Sequence, residues 1–171
     1  VSPFRYGAGT VSQRNLQDIR GAIQPEQQRR INEQLAQAGE QERQRVNLSR
    51  PLSEEAEAGL LGFVLHPQFS ENQQAFAYYT YDVSGSPFNR VVVLEQQDKV
   101  WNERRILLDR IPSGPVHHGG RIKIGPDEKL YFSAGDAAVA ENAQSLNNLN
   151  GKILRMNLDG SVPDDNPFRT L

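Results

Sequence analysis

The sequence predicts an all-β domain built as an antiparallel meander, with a Gln-rich helical segment in front of it. Three observations predict it. Short runs of β-branched and aromatic residues recur from residue 59 onward, clusters of Gly, Pro, Asn, Asp and Ser separate them, and no helical periodicity intervenes. A sandwich, a barrel and a propeller all satisfy that pattern.

The elements follow in order. Leu16, Ile19 and Ile23 recur at helical spacing, and Ile31, Leu35 and Ala38 repeat it after Pro25. This predicts two amphipathic helices over 13–23 and 26–38, ended by Gly39. Their apolar stripes are thin, so they must dock on something larger. An insertion lying on a surface is the simplest reading, with a partner-binding helix pair or a Gln/Arg-rich RNA-binding arm as alternatives. Leu60 to Leu65 is a continuous apolar run of the length expected of a buried strand. Ala75–Tyr81 and Arg90–Leu94 are aromatic and β-branched, and Arg105–Leu108, Arg121–Ile124, Lys129–Ser133 and Lys152–Asn157 continue the series. Gly125 to Glu128 reads as a hairpin turn, Asn147 to Gly151 as a polar loop, and Asp159-Gly160 as a further turn.

Composition bounds the function. The 171 residues carry 19 Lys and Arg against 21 Asp and Glu, with a net charge of -2. A dedicated nucleic-acid binder is more basic than this. The absence of cysteine excludes disulfides, thiolate metal sites and a cysteine nucleophile. No apolar run is long enough to span a bilayer, and the N-terminus lacks a signal-peptide pattern. The first 50 residues hold eight Lys and Arg, five acidic residues and nine Gln, a positive segment ahead of an acidic remainder.

Imidazole chemistry must come from His66, His117 or His118. His66 precedes Pro67 at a strand end and reads as structural. His117 and His118 open the run His117-His118-Gly119-Gly120-Arg121, in which the glycines let backbone approach a ligand or a neighbouring strand. A pair of exposed loop histidines is the competing reading. Neighbours on an extended chain point in different directions, so a metal site from this pair alone is not expected. A hairpin turn at 125–128 places Asp136 at the same end of the sheet as the histidines. A carboxylate there can fix an imidazole's tautomer and stabilise its protonated form; a turn-forming Asp is the alternative.

Gly59-Leu60-Leu61-Gly62-Phe63-Val64-Leu65-His66-Pro67-Gln68-Phe69 resembles a signature of the soluble glucose/sorbosone dehydrogenase family, whose members use pyrroloquinoline quinone (PQQ). Later motifs agree in order: His117 to Arg121, Gly125-Pro126-Asp127, Lys129-Leu130-Tyr131, Gly135-Asp136, Gly151 to Arg155, and Asn157 to Pro163 with Asp165-Asn166-Pro167. The resemblance runs from about Val46 to Phe168. It divides the chain into a helical extension or insertion, 1–45, and a propeller part, 46–171.

The resemblance implies a six-bladed β-propeller with PQQ on its axis, calcium as a second cofactor, and oxidation of an aldose to its lactone. It implies His117 as general base on the C1 hydroxyl, Asp136 as its acidic neighbour, and Glu57 and His117 beside the quinone. His118 fills a variable position and inherits no role. An external electron acceptor and a periplasmic or secreted location go with the family. Val116 stands where some glucose-oxidising relatives carry an acidic residue, so the resemblance does not carry over a preference for glucose itself. At roughly 40–50 residues per blade, the matching stretch furnishes two to three blades, a fragment lacking the calcium loop and the later quinone-binding residues. The rest of the propeller is then an expected partner, and the isolated chain is expected to be inactive. A non-catalytic propeller that binds a protein or a glycan is the rival expectation.

Overall fold

The computed structural model describes residues 45–168. The helices expected over 13–23 and 26–38 lie outside them. The described strands are β1 (Arg45–Asn47), β2 (Leu60–Leu65), β3 (Gln74–Val83), β4 (Ser86–Gln97), β5 (Val100–Pro112), β6 (Gly119–Ile124), β7 (Leu130–Ala134) and β8 (Lys152–Met156). Two antiparallel meanders result, β2 to β5 and β6 to β8, with β1 added in parallel beside β5. One sheet runs β1-β5-β4-β3-β2 and the other β6-β7-β8. Each predicted strand is present, and the longest, β5, extends well beyond the expected 105–108.

Local chemistry accounts for the hairpins. Ser84 and Gly85 both take positive φ, 52° and 80°, between the paired Val83 and Ser86. Asp98 and Lys99 do the same between Gln97 and Val100. Two-residue turns with positive φ at both positions match the right-handed twist of paired strands. The expected turn at 125–128 closes through Gly125 N–H to the Lys129 carbonyl at 2.9 Å.

Three expectations are corrected. A helical turn, α1 (Phe69–Asn72), separates β2 from β3, and a 3-10 turn at Ala140–Gln144 separates β7 from β8, where no helix was expected; neither is long enough to show a helical period. β1 was not expected either, because it is three residues long and pairs in parallel with β5, far away in sequence. Finally, β2 is not a buried strand. Leu60, Phe63 and Leu65 are 41–44 % exposed, because among the described residues β2 is an edge strand whose only ladder partner is β3.

The core forms between the sheets. Phe76, Tyr78, Val91, Val93 and Ile111 of the first sheet meet Ile122, Leu130, Phe132, Ala134 and Met156 of the second. The opposite face of β3 and β4 buries Ala75, Ala77, Tyr79, Tyr81, Val92 and Leu94 with Trp101. Both faces of the central strands are thus apolar and covered, so β3 and β4 read as near-continuous runs rather than alternating ones. The edge strands β2 and β6 lie against each other. A Cβ at Gly62 would stand 2.0 Å from the Gly120 carbonyl oxygen, so the two backbones touch where only glycine allows it. Two meanders stacked face to face with their leading edge strands in contact form neighbouring blades of a propeller.

Candidate functional site

Three loops meet at one end of β2, β6 and β7: residues 53–59 before β2, 113–118 before β6, and 135–139 after β7. The antiparallel register places Gly119 opposite Ala134, and the loops on either side carry His117 and Asp136. Gly135 makes their approach possible. A Cβ there would lie 1.5 Å from the His117 carbonyl oxygen, so no other residue fits between the two loops.

His117 Nδ1 lies 2.9 Å from Asp136 Oδ1. The His117 side chain is 59 % exposed and that of Asp136 27 % exposed. Asp136 Oδ1 also accepts the Ala138 N–H at 3.0 Å. The hydrogen bond from His117 is the main reason the Asp136 carboxyl sits below the usual aspartate range. Being ionised, it only accepts, so Nδ1 carries the ring proton. In the neutral ring Nε2 then holds the lone pair, and it makes no hydrogen bond among the described residues.

Glu57 completes the group. Its Oε2 accepts the His117 backbone N–H at 3.2 Å, across sixty positions of sequence. Glu57 and His117 both adopt left-handed backbone, φ 62° and 63°, and so do Ala137 and Ala138 beside Asp136. Such conformations cost about 1–3 kcal/mol each in non-glycine residues and cluster at functional sites. The structure therefore brings all three expected site residues together.

The two adjacent histidines part company. His117 faces solvent, whereas His118 is only 2 % exposed, which overturns the competing reading of an exposed pair. His118 Nδ1 lies 2.6 Å from Ser113 Oγ, and its Nε2 3.1 Å from the Ala56 carbonyl. Pattern reasoning gave His118 no role and passed over Ser113 and Asn89; the one signal was that adjacent side chains point in different directions. His66 is structural. Its Nδ1 faces the Gln68 N–H and the Asn72 amide, and its ring packs on Phe76. No cluster of three His, Cys, Asp or Glu that could hold a metal occurs among the described residues.

Fold and site together define a partial β-propeller bearing a histidine–carboxylate pair where blade loops converge, and the profile of the Glucose / Sorbosone dehydrogenase family matches residues 21–170. The chain belongs to that family. The match begins inside the Gln-rich segment, earlier than the Val46 at which the motif series starts. Quinoprotein glucose dehydrogenase B of Acinetobacter calcoaceticus is 31 % identical over 136 residues, covering 64 % of this chain and 28 % of the relative. The PQQ-bound aldose sugar dehydrogenase of Streptomyces coelicolor superposes with a TM-score of 0.64 at 33 % identity, covering 69 % of this chain and 36 % of that one. Human Hedgehog-interacting protein is 26 % identical over 133 residues, covering 65 % of this chain and 19 % of the relative. The chain thus spans little more than a third, at most, of each of these three.

Proposed function

We propose that this chain carries the catalytic base of a PQQ-dependent sugar dehydrogenase, which oxidises the anomeric carbon of an aldose to the lactone. The observation that supports it is the Asp136–His117 pair, which holds Nδ1 of an exposed ring and turns Nε2 away from the carboxylate. Nε2 takes the proton of the C1 hydroxyl, while Asp136 orients the ring and stabilises the imidazolium. When bound, PQQ would supply the acceptor for the hydride that leaves C1, making the step a balanced two-electron oxidation. The donor set fits that role. An acceptor nitrogen serves the reacting hydroxyl, and the Glu57 carboxylate beside His117 suits the polar border of a quinone and a sugar. Calcium belongs to the same proposal, held by groups other than a side-chain cluster of these described residues. So do an external electron acceptor, a periplasmic or secreted setting, completion of the propeller by further blades, and a boundary near residue 45. No helix among the described residues is long and apolar enough to cross a membrane.

The test is His117→Ala in the full-length protein reconstituted with PQQ and calcium, assayed on aldoses with an artificial acceptor. Loss of positioned base catalysis lowers kcat by about 10²–10⁴-fold, with the quinone absorption band still shifted by binding. Undiminished oxidation overturns the assignment. The similarity to Hedgehog-interacting protein favours a second reading, a propeller that binds a protein or a glycan without catalysis. Full-length protein that leaves the PQQ spectrum unshifted in the presence of calcium would decide for it.

A further inference from the structure

Behind the exposed His117 lies a buried polar chain that the proposed reaction does not use. The Ala56 carbonyl can only accept, so His118 Nε2–H donates to it at 3.1 Å. In the neutral ring Nδ1 then holds a lone pair and accepts the Ser113 hydroxyl at 2.6 Å. Ser113 Oγ in turn accepts from Asn89 Nδ2 at 3.2 Å, and Asn89 Oδ1 accepts the Thr80 hydroxyl at 2.7 Å. The donors run in one direction, from Thr80 through Asn89, Ser113 and His118 to Ala56. Thr80, Asn89 and His118 are almost fully buried. The His118 carbonyl is held as well, accepting the Tyr78 hydroxyl at 2.9 Å and Asn89 Nδ2 at 3.3 Å.

The ends of this chain are next to the site. Ala56 precedes Glu57, and His118 follows His117. One imidazole therefore joins the loop entering β2 to the loop entering β6. Its donor and its acceptor lie on opposite edges of a rigid ring, which no aliphatic side chain reproduces. Buried networks with every member satisfied fix a single arrangement, and among the described residues no buried side-chain polar atom lacks a partner.

We propose that His118 is a positioning residue: clamped between Ser113 and Ala56, its buried imidazole fixes the two loops to each other and holds His117 in register with Asp136. The proposal rests on the reading of His117 and Asp136 as the working pair. Its readout is the Asp136 carboxyl titration, followed by carbon NMR in the full chain; a residue that merely stabilised the fold would leave this titration alone.

His117→Ala sets the scale by raising the Asp136 midpoint, since the His117 hydrogen bond is what chiefly lowers it. His118→Phe, which fills the space without hydrogen bonds, moves the midpoint in the same direction. His118→Gln, whose amide keeps a donor for Ala56, brings it back toward wild type. Ser113→Ala gives a smaller upward shift and decides the matter should the Phe variant not fold. An Asp136 midpoint unmoved in folded His118→Phe, or in Ser113→Ala if only that variant folds, overturns the proposal. Failure of the underlying reading shows elsewhere, as undiminished aldose oxidation by His117→Ala, so the two failures are distinguishable.

Discussion

An imidazole serves as a base only while one nitrogen keeps its lone pair, and Asp136 determines which nitrogen that is. In the proposed reaction the carboxylate on Nδ1 does for His117 what an orienting aspartate does in a hydrolase triad: it selects the tautomer and meets the charge that forms. Asp136→Asn keeps the shape and loses the charge. In the reconstituted enzyme its kcat is expected to fall by about 10²–10⁴-fold with little change in KM, because the lost interaction strengthens only as the proton moves. A raised KM with unchanged kcat would mean that Asp136 binds sugar rather than assists the base. The placement of Asp136 near the two histidines was legible in the sequence, since a hairpin of known length returns the chain to the same end of the sheet, and the family resemblance singled out His117. The inward turn of His118 was not. Its burial depends on Ser113 and Ala56, whose loops show no periodic pattern to read.

Strand β4 carries a second polar feature, unrelated to the site. Arg90 is buried, forks onto Asp109 at 2.9 and 3.0 Å, and lies 4.0 Å from the centre of the Tyr81 ring. It also donates to Ser49 Oγ at 3.0 Å and to the Tyr79 hydroxyl at 3.3 Å. Burial, together with a hydrogen bond to Glu103, pushes the Tyr79 hydroxyl up to about 12. Arg90 thereby fastens β3, β4 and β5 to the segment before β2. Arg90→Ala leaves the buried Glu103 carboxylate, 3.7 Å from the guanidinium, without its cation, and the expected loss is about 3–5 kcal/mol. Urea unfolding checks it through a lower midpoint at unchanged slope. A loss within the range of an exposed ion pair, below about 1 kcal/mol, would show that solvent replaces Arg90 freely. At this scale the β-branched runs were readable, but their limits were not. Asn102, Glu103 and Arg104 precede the expected strand at 105–108, yet they lie inside β5 because long-range pairing outweighs local preference.

For the whole molecule, stability is tied to pH through its aspartates. Asp109, Asp127, Asp136, Asp159 and Asp165 all sit below the usual carboxylate range. For Asp136, Asp159 and Asp165 the largest cause is a hydrogen bond, from His117, Ser161 and Arg155 respectively. At Asp109 and Asp127 desolvation works the other way, and donors led by Tyr81 and Tyr131 outweigh it. The folded state thus binds fewer protons than the unfolded chain near and below the ordinary aspartate value of about 3.9. These groups contribute fully above that value, and their contribution is lost as pH falls through the lower folded values. The Tm should hold steady from about pH 8 to pH 5 and drop below about pH 4; a flat Tm to about pH 3 would contradict the linkage.

The sequence by itself determined most of the strands, the turn at 125–128 and the placement of Asp136 at the histidines' end of the sheet, because alternation, turn chemistry and short return distances are local. Only the tertiary structure decided the contact between Glu57 and His117, the exposure of one side of β2 and the burial of His118. Those depend on how two sheets stack and where their loops meet, which residues sixty positions apart cannot record in any local pattern.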